Sequence, residues 1–260
     1  MKRRQAVQLV AAFAWLCGSF TWAGADTAAS LFDQANRLYE QAQYGRAAAA
    51  YDKLRTTEPP SPALYFNLGN AWFKAGQTGR AIAAYREAER LTPRDPNVRF
   101  NLNFARKKVS GAEPSPRAPW QQWLATLTLN EWTALAMGAF WIWFFLLALR
   151  EARPGLRKIL SGYTATAGVA AIALAGTLGL VMYEQFRLKE AVVIATNAIV
   201  RYGPVEDSKV FYQLRDGSEV TVLDEKELNF GDKKQSWLQV EDATRRIGWV
   251  QRDQVMLLTS

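Results

Sequence analysis

The sequence repeats itself near its N-terminus. Residues 31–59 align without a gap to residues 65–93, an offset of 34 residues, and the matching pairs include Phe32/Phe66, Asn36/Asn70, Gly45/Gly79, Tyr51/Tyr85 and Pro59/Pro93. A repeat of this period fits a pair of antiparallel helices that stacks on its neighbours. Such stacks present extended binding surfaces, so the repeat favours an interaction protein over an enzyme.

The second copy resembles the tetratricopeptide (TPR) pattern. Its matching residues are Tyr65, Leu68, Gly69 and Trp72 in a first helix, and Ala81, Tyr85, Ala88 and Pro93 in a second. Small residues let the two helices cross closely, and the proline ends the second helix. Residues 96–109 repeat Phe-Asn-Leu as Phe100-Asn101-Leu102. We therefore predict a helical TPR repeat domain over residues 26–109, with two repeats and a capping helix.

The groove of this array is the predicted ligand site. Asn36 and Asn70 are equivalent first-helix positions, and some TPR domains use such a pair to hold a peptide and its terminal carboxylate. Those domains place a Lys one turn earlier, where this chain has Phe32 and Phe66, which argues against that clamp. We expect a bound peptide to contact six residues, unless the asparagines cap helices, bond locally or face solvent. The six are Asn36, Asn67, Asn70, Asn101, Phe32 and Phe66.

Three apolar segments indicate a membrane protein. Residues 1–25 read as a signal peptide, with a basic start, an apolar run and Ala23-Gly24-Ala25 before the cleavage point. The alternative is an uncleaved anchor. Residues 132–149 and 159–183 contain no charged side chain, and both runs are long enough to cross a bilayer as helices. We predict a two-helix transmembrane hairpin with a loop at residues 150–158.

The distribution of charge predicts the orientation of the hairpin. Of the net charge of +8, six charges lie in Lys2–Arg4 and in residues 150–158, beside apolar segments. Basic loops stay in the cytoplasm, so we expect both flanking regions in the periplasm and the hairpin in the inner membrane. No basic stripe interleaved with aromatic residues is present, which argues against a nucleic-acid partner.

The segment before the hairpin, residues 110–131, has the composition of a linker with an interfacial part. Its first ten residues hold three prolines, and Trp120 and Trp123 share a helical face that suits the lipid interface. Thr128 and Glu131 have the spacing of a capping box. The second span carries small residues at four-residue steps, Ala167, Ala171, Ala175 and Gly179, which we expect to pack on the first span or on a partner's helix.

Residues 184–260 change to short β-branched segments separated by turns, which predicts a small all-β barrel. The motifs resemble those of bacterial SH3 (SH3b) domains: Val200-Arg201-Tyr202-Gly203-Pro204, Leu214–Val222, Trp237–Val240 and Gly248-Trp249-Val250. The resemblance implies binding of peptides or of peptidoglycan. We expect Trp237 and Trp249 in the core and residues 224–236 in a mobile loop.

Catalytic chemistry has little support in the sequence. The chain has no histidine, and its one cysteine, Cys17, lies in the predicted signal peptide. We predict no catalytic residue, no metal site and no cofactor. A carboxylate-based hydrolase is the competing idea, and its candidates are the adjacent pairs Glu206/Asp207 and Glu241/Asp242.

The order of segments resembles the BatE-type proteins of the bacterial aerotolerance (Bat) group. The resemblance rests on the layout and on Asn67–Asn70, Thr92–Asp95 and Arg99–Leu102. It implies partners among membrane-anchored von Willebrand A-domain proteins and, indirectly, a MoxR-type ATPase, in envelope maintenance or stress tolerance. The predicted function is a non-catalytic membrane scaffold that binds envelope proteins, and the alternative is peptidoglycan recognition by the SH3b domain.

Overall fold

The computed structural model describes residues 22–111, 118–187, 189–230 and 233–258. Most of the predicted signal peptide lies outside these residues, and so does most of the proline-rich linker. The described chain forms an N-terminal helical array, a long helical hairpin and a C-terminal antiparallel sheet.

The helical array has five helices within the described residues. They are α1 (Trp22–Glu40), α2 (Tyr44–Thr57), α3 (Pro62–Lys74), α4 (Thr78–Leu91) and α5 (Pro96–Ser110). The pairs α1–α2 and α3–α4 are the two predicted repeats, and α5 is the additional first helix. A Cβ atom at Gly69 would lie 2.6 Å from the Tyr85 ring, which confirms that this glycine permits the close crossing of α3 and α4.

Helix α5 has strong signals at both ends. The Asp95 side chain accepts from the backbone N–H of Asn97 at 2.8 Å, and Pro96 occupies the first helical position, where its missing N–H costs nothing. Gly111 ends the helix in the left-handed conformation at φ +70°. Between these ends, helix α5 buries Val98, Leu102 and Ala105.

Two long apolar helices follow a short one. Helix α6 (Pro119–Leu124) precedes α7 (Leu129–Ala152), and α7 begins with the predicted capping box. Glu131 accepts from the backbone of Thr128 at 2.9 Å, and Thr128 accepts from that of Glu131 at 3.2 Å. A 3₁₀ turn (Pro154–Leu156) joins α7 to α8 (Arg157–Arg187), and the two helices pack on each other. Leu129 and Arg187 therefore lie at the same end of the hairpin.

The surface of the hairpin is apolar. Each helix has a segment with a mean hydropathy of 1.9, of which only 11% is buried within the protein. Both helices are long and apolar enough to cross a membrane. The contact between them uses small residues, because Thr164, Gly168 and Ala171 of α8 are buried. Ala175 and Gly179 of the predicted stripe are exposed.

The C-terminal region is an antiparallel sheet that does not close. Its seven described strands lie in the order β3-β2-β6-β5-β4-β1-β7. They are β1 (Lys189–Val193), β2 (Asn197–Arg201), β3 (Val210–Arg215), β4 (Glu219–Phe230), β5 (Lys233–Glu241), β6 (Ile247–Gln251) and β7 (Val255–Leu257). The predicted small all-β region is therefore present, but its described strands do not close into a barrel. Strands β3 and β7 lie at the two edges of the sheet. Strand β7 pairs with β1, and none of the described strands pairs with the outer edge of β3.

The prediction of a loop at residues 224–236 is wrong for most of that segment. Strands β4 and β5 extend through it as a hairpin, with pairs from Asp224↔Gln239 to Phe230↔Lys233. Residues 224–227 of β4 are charged and exposed, so this part of the hairpin carries polar side chains on both faces. The apolar alternation that identifies a half-buried strand is absent from such a segment.

Candidate peptide-binding groove and interdomain interface

The predicted groove asparagines join the helices of the array. The Tyr51 hydroxyl donates to Asn36 Oδ1 at 2.5 Å, and the Tyr85 hydroxyl donates to Asn70 Oδ1 at 2.7 Å. The two bonds are equivalent in the two repeats. Each ties a first helix to the second helix of its own repeat.

The following first helix joins the same network. Asn67 hydrogen-bonds Tyr51, Asn101 hydrogen-bonds Tyr85, and Asn101 Nδ2 also donates to Asn70 Oδ1 at 2.9 Å. Burial raises the pKa of Tyr51 to about 12, with a further rise from Tyr39 that the bond to Asn67 opposes. These asparagines therefore bond locally, which is the alternative stated for them, and contact with a ligand stays a prediction.

Phe32 and Phe66 pack beside the network on the first helices. The Phe32 ring meets Tyr51 edge-on at 5.6 Å, and the Phe66 ring lies 6.1 Å from Tyr85. Both phenylalanines are half-buried. The structure thus brings all six predicted residues into two equivalent clusters, each with part of its surface open to solvent.

The most exposed aromatic side chains of the array are ones that the prediction omitted. Phe100 is 69% exposed and Phe104 56%, and their rings stack at 6.4 Å. The Phe104 ring lies 5.6 Å from Phe73. We call Phe73, Phe100 and Phe104 the aromatic strip. One more step of the 34-residue offset from Phe66 leads to Phe100, so the repeat itself contained the signal.

The sheet packs directly on the helical array. Val192 of β1, with Met256 and Leu258 at the end of the chain, joins a core cluster with Ile82 of α4 and Leu102 of α5. The neighbouring residues Ala191, Val193 and Val255 lie in the core of the sheet itself. Strand β1 is therefore buried on both faces, as its unbroken apolar sequence Ala191-Val192-Val193 allows.

Ion pairs border this apolar contact. Arg106 of α5 forms a two-point bond with Glu219 of β4, with Nε to Oε2 at 2.9 Å and Nη2 to Oε1 at 2.8 Å. Arg86 of α4 pairs with Glu190 of β1 and lies 3.6 Å from Glu219. Planar two-point pairs of this kind add orientation as well as attraction, so they fix the sheet on the helices.

A turn of the sheet caps a helix of the array. Helix α4 has no side-chain cap from Gln77, its own N-cap residue. Instead the backbone N–H of Gly79 donates to Asp216 Oδ1 at 3.0 Å, and Thr78 donates to the same carboxylate. A carboxylate at a helix N-terminus satisfies otherwise unpaired N–H groups and is attracted by the helix dipole.

Glycines allow this close approach. A Cβ atom on Gly79 would lie under 3.0 Å from the carbonyl oxygen of Val193. Gly217 has φ +88°, and a Cβ there would lie 2.6 Å from Val109 Cγ2.

The equivalent positions of repeat 1 are not covered by the sheet. Gly45, which is equivalent to Gly79, has nothing within 4 Å of its Cβ position. Ala83 of α4 is buried, whereas its equivalent in α2, Ala49, is exposed.

The interface leaves the groove side of the array uncovered. One side of α4 faces the sheet and carries Gly79, Ala83 and Arg86. The opposite side faces α3 and carries Ala81 and Tyr85. The groove is lined by the first helices α1, α3 and α5. The sheet therefore docks on the outer side of α4 and on the side of α5 that carries Arg106.

One residue of each acidic pair in the sheet has structural partners. Glu206 accepts from Gln235 at 2.9 Å and from Gln251 at 3.1 Å. Asp242 binds Thr244 and pairs with Arg246 at 2.7 Å. Burial acts to raise the pKa of Asp242, but the hydrogen bonds from Arg246 and Thr244 outweigh it, and the pKa is lowered overall. Among the described residues, no group of three or more Asp, Glu, Cys or His side chains forms a metal site.

The two tryptophans of the SH3b motifs are buried, as expected of core residues. Trp237 is 1% exposed and Trp249 is 7% exposed. The Lys226 ammonium lies 4.9 Å from the Trp249 ring centroid. The exposed aromatic pair of the sheet is instead Tyr202 and Phe211, whose ring centroids are 4.4 Å apart.

Comparison with known proteins identifies both domains. Residues 32–96 match the tetratricopeptide repeat family, and residues 196–255 match the bacterial SH3 domain family. The chain therefore contains TPR and SH3b domains, which are typically non-catalytic interaction modules. No curated protein matches the chain.

Solved structures add little to this identification. The type III secretion translocator chaperone SycD of Yersinia enterocolitica is 14% identical, and the match covers 62% of this chain and 96% of that one. The TM-score is 0.31.

Proposed function

We propose that this protein is a membrane-anchored adaptor of the bacterial envelope whose TPR groove binds other envelope proteins. The supporting observation is the position of the sheet, which docks on the outer side of α4 and on one side of α5. The groove side of the first helices, where Phe100 is exposed, stays uncovered. An array stiffened in this way loses less conformational entropy when it binds a partner. Nothing in the described residues indicates an enzyme.

We place the hairpin in the inner membrane and both domains in the periplasm. Its exposed apolar surface supports insertion, and the basic residues at its turn support a cytoplasmic turn. The contact between the TPR helices and the sheet adds a further argument. Two domains that touch must lie on the same side of any membrane that the hairpin crosses.

The physiological role that we propose is envelope maintenance or stress tolerance. It rests on the resemblance to BatE-type proteins, which implies von Willebrand A-domain membrane proteins as direct partners and a MoxR-type ATPase as an indirect one. The six predicted residues, Asn36, Asn67, Asn70, Asn101, Phe32 and Phe66, together with the aromatic strip, are the proposed contact surface.

Photo-crosslinking in living cells tests this proposal. A photoreactive amino acid at Phe66 or Phe100 places the probe on the groove side, and one at the exposed Ala49 of α2 is the matched control. We expect adducts with a membrane-anchored von Willebrand A-domain protein from positions 66 and 100 only. Equal adducts from position 49, or none from the groove positions, would contradict the proposal.

Peptidoglycan recognition is the second candidate function. Tyr202 is 59% exposed and lies against Phe211 on the surface of the sheet, and exposed aromatic faces suit both sugars and peptides. The full chain in detergent should sediment with purified sacculi if this function holds, and Tyr202→Ala should weaken the sedimentation. Sedimentation that is absent, or unchanged in this variant, would remove the candidate.

A further inference from the structure

A polar cleft lies where the two domains meet. Its volume is about 330 Å³, and its lining includes Thr78, Lys108, Thr196, Asn197 and Arg215. Lys108 comes from the end of α5 and Thr78 from the start of α4. The other three belong to the turns and strands of the sheet, so the cleft exists only when the domains are docked.

The aromatic strip leads into this cleft. The Lys108 ammonium lies 4.7 Å from the ring centroid of Phe73, and Phe73 is followed by Phe104 and Phe100. The same lysine therefore lines the cleft and borders the strip. Together they form a continuous surface with an apolar part and a basic end.

Basic groups dominate this surface. Helix α5 contributes Lys108 to it and carries no acidic residue. Arg215 adds a further basic side chain across the cleft. The acidic group in the lining is Asp216. Its carboxylate already accepts from Gly79 and Thr78, and it is also attracted by Lys108 and Arg80. An incoming carboxylate would thus find Lys108 and Arg215 as its ionic partners.

We infer that the cleft binds acidic side chains of a partner peptide whose apolar residues lie on the aromatic strip. The inference rests on the proposed binding function of the groove and defines the chemistry of its ligand. The ligand is a segment that joins aromatic or aliphatic side chains to Asp or Glu a few residues away. Charge complementarity selects this segment over a neutral one.

A partner helix that completes a third repeat fits less well. Gly69 and Ala35 are the small residues at which α3 and α1 meet their second helices, and the equivalent residue of α5 is Asn103. An Asn side chain there prevents the same close crossing. The strip therefore suits a peptide laid along α5 and α3.

Selection from a random peptide library tests the inference. The full chain is held in lipid nanodiscs and challenged with displayed random dodecapeptides fused at their C-termini, so that no free terminal carboxylate is present. The same selection uses Lys108→Glu/Arg215→Glu, and Lys53→Glu/Lys209→Glu as a control with equal charge change at exposed sites. A thermal unfolding curve of each variant verifies that it is folded.

We expect enriched peptides to combine Asp or Glu with aromatic or aliphatic residues. A synthetic enriched peptide should lose about tenfold in affinity for Lys108→Glu/Arg215→Glu and keep its affinity for the control. The same peptide with Lys in place of its acidic residues should bind Lys108→Glu/Arg215→Glu better than the unsubstituted chain.

Two results would contradict different parts of this account. Enriched peptides without acidic residues, or with equal affinity for both variants, would overturn the inference and leave groove binding intact. Enrichment of no peptide by the folded full chain would contradict the proposed groove function as well.

Discussion

Asp216, in a turn of the SH3b sheet, accepts a hydrogen bond from the backbone of Gly79 in the TPR array at 3.0 Å. The two residues are 137 positions apart in sequence, and the whole membrane hairpin lies between them. This bond joins the two domains, because helix α4 of the TPR array takes its N-terminal cap from the SH3b sheet. The TPR and SH3b domains therefore form one docked unit.

The two repeat glycines give a matched test of the docking. Gly79→Ala places a Cβ under 3.0 Å from the Val193 carbonyl oxygen, whereas Gly45→Ala meets nothing within 4 Å. We expect Gly79→Ala to destabilise the protein by about 1–3 kcal/mol. Gly45→Ala should stabilise α2 by up to about 1 kcal/mol, because alanine favours a helix over glycine. Equal effects in denaturant unfolding would contradict the close approach.

Asp216 should be replaceable by asparagine but not by alanine. Asp216→Asn keeps an acceptor oxygen for the N–H groups of α4, and we expect a change in unfolding free energy below about 0.5 kcal/mol at neutral pH. Asp216→Ala removes the acceptor and should cost about 1 kcal/mol. The comparison is made by chemical denaturation of the full chain in detergent.

The same residue predicts a pH dependence. Burial raises the pKa of Asp216 above its ordinary value of 3.8, against the opposing effect of the bonds from Gly79 and Thr78. The carboxyl group of Asp216 therefore binds its proton more tightly in the folded state than in the unfolded state. Its contribution to stability should fall as the pH rises from 3.8 through the raised pKa, and Asp216→Asn should lack that fall. An unchanged pH profile in the variant would refute the assignment.

The Tyr51 hydroxyl should stabilise the array. Tyr51→Phe leaves Asn36 Oδ1 without the 2.5 Å bond, and we expect a loss of about 1–2 kcal/mol. The pKa of about 12 for Tyr51 also predicts that stability falls as the pH rises from 10 towards 12, less so in the variant. Tyr44→Phe, at a half-buried tyrosine of the same helix, is the control and should change stability by under about 0.5 kcal/mol.

The topology of the hairpin is testable by cysteine labelling. In a Cys17→Ser background, single cysteines at Lys53, Lys209 and Gly155 report on the two domains and on the turn. A membrane-impermeant maleimide should label positions 53 and 209 in intact spheroplasts, and position 155 only after lysis. Labelling of position 155 from outside, or of one domain without the other, would exclude the proposed orientation.

Features with a local pattern were predictable from the sequence. The 34-residue repeat predicted the helix pairs, and the uncharged segments predicted the hairpin helices. Thr128 and Glu131 formed their capping box as expected. In each case the signal lies within one repeat or one helix, so that neighbouring residues suffice to specify it.

The docking of the domains was not predicted, because it depends on residues far apart in sequence. Two signals existed, the unbroken apolar run Ala191–Val193 and the run Met256–Leu258, since a strand with one solvated face alternates. The start of the β4 extension had no such signal, because residues 224–227 are charged on both faces. The repeated asparagines of the groove form bonds between stacked helices, and their contact with a ligand stays a prediction.

Zero-length crosslinking tests the docked unit most directly. A carbodiimide joins a lysine amine to a carboxylate only where the two touch, and Arg106 touches Glu219 at 2.8 Å. With Arg106→Lys in native membranes, mass spectrometry should identify a peptide that joins residues 106 and 219. The unsubstituted chain, and Arg106→Lys combined with Glu219→Gln, should lack it. A folded Arg106→Lys chain that yields no such crosslink would contradict the docking of the SH3b sheet on the TPR helices.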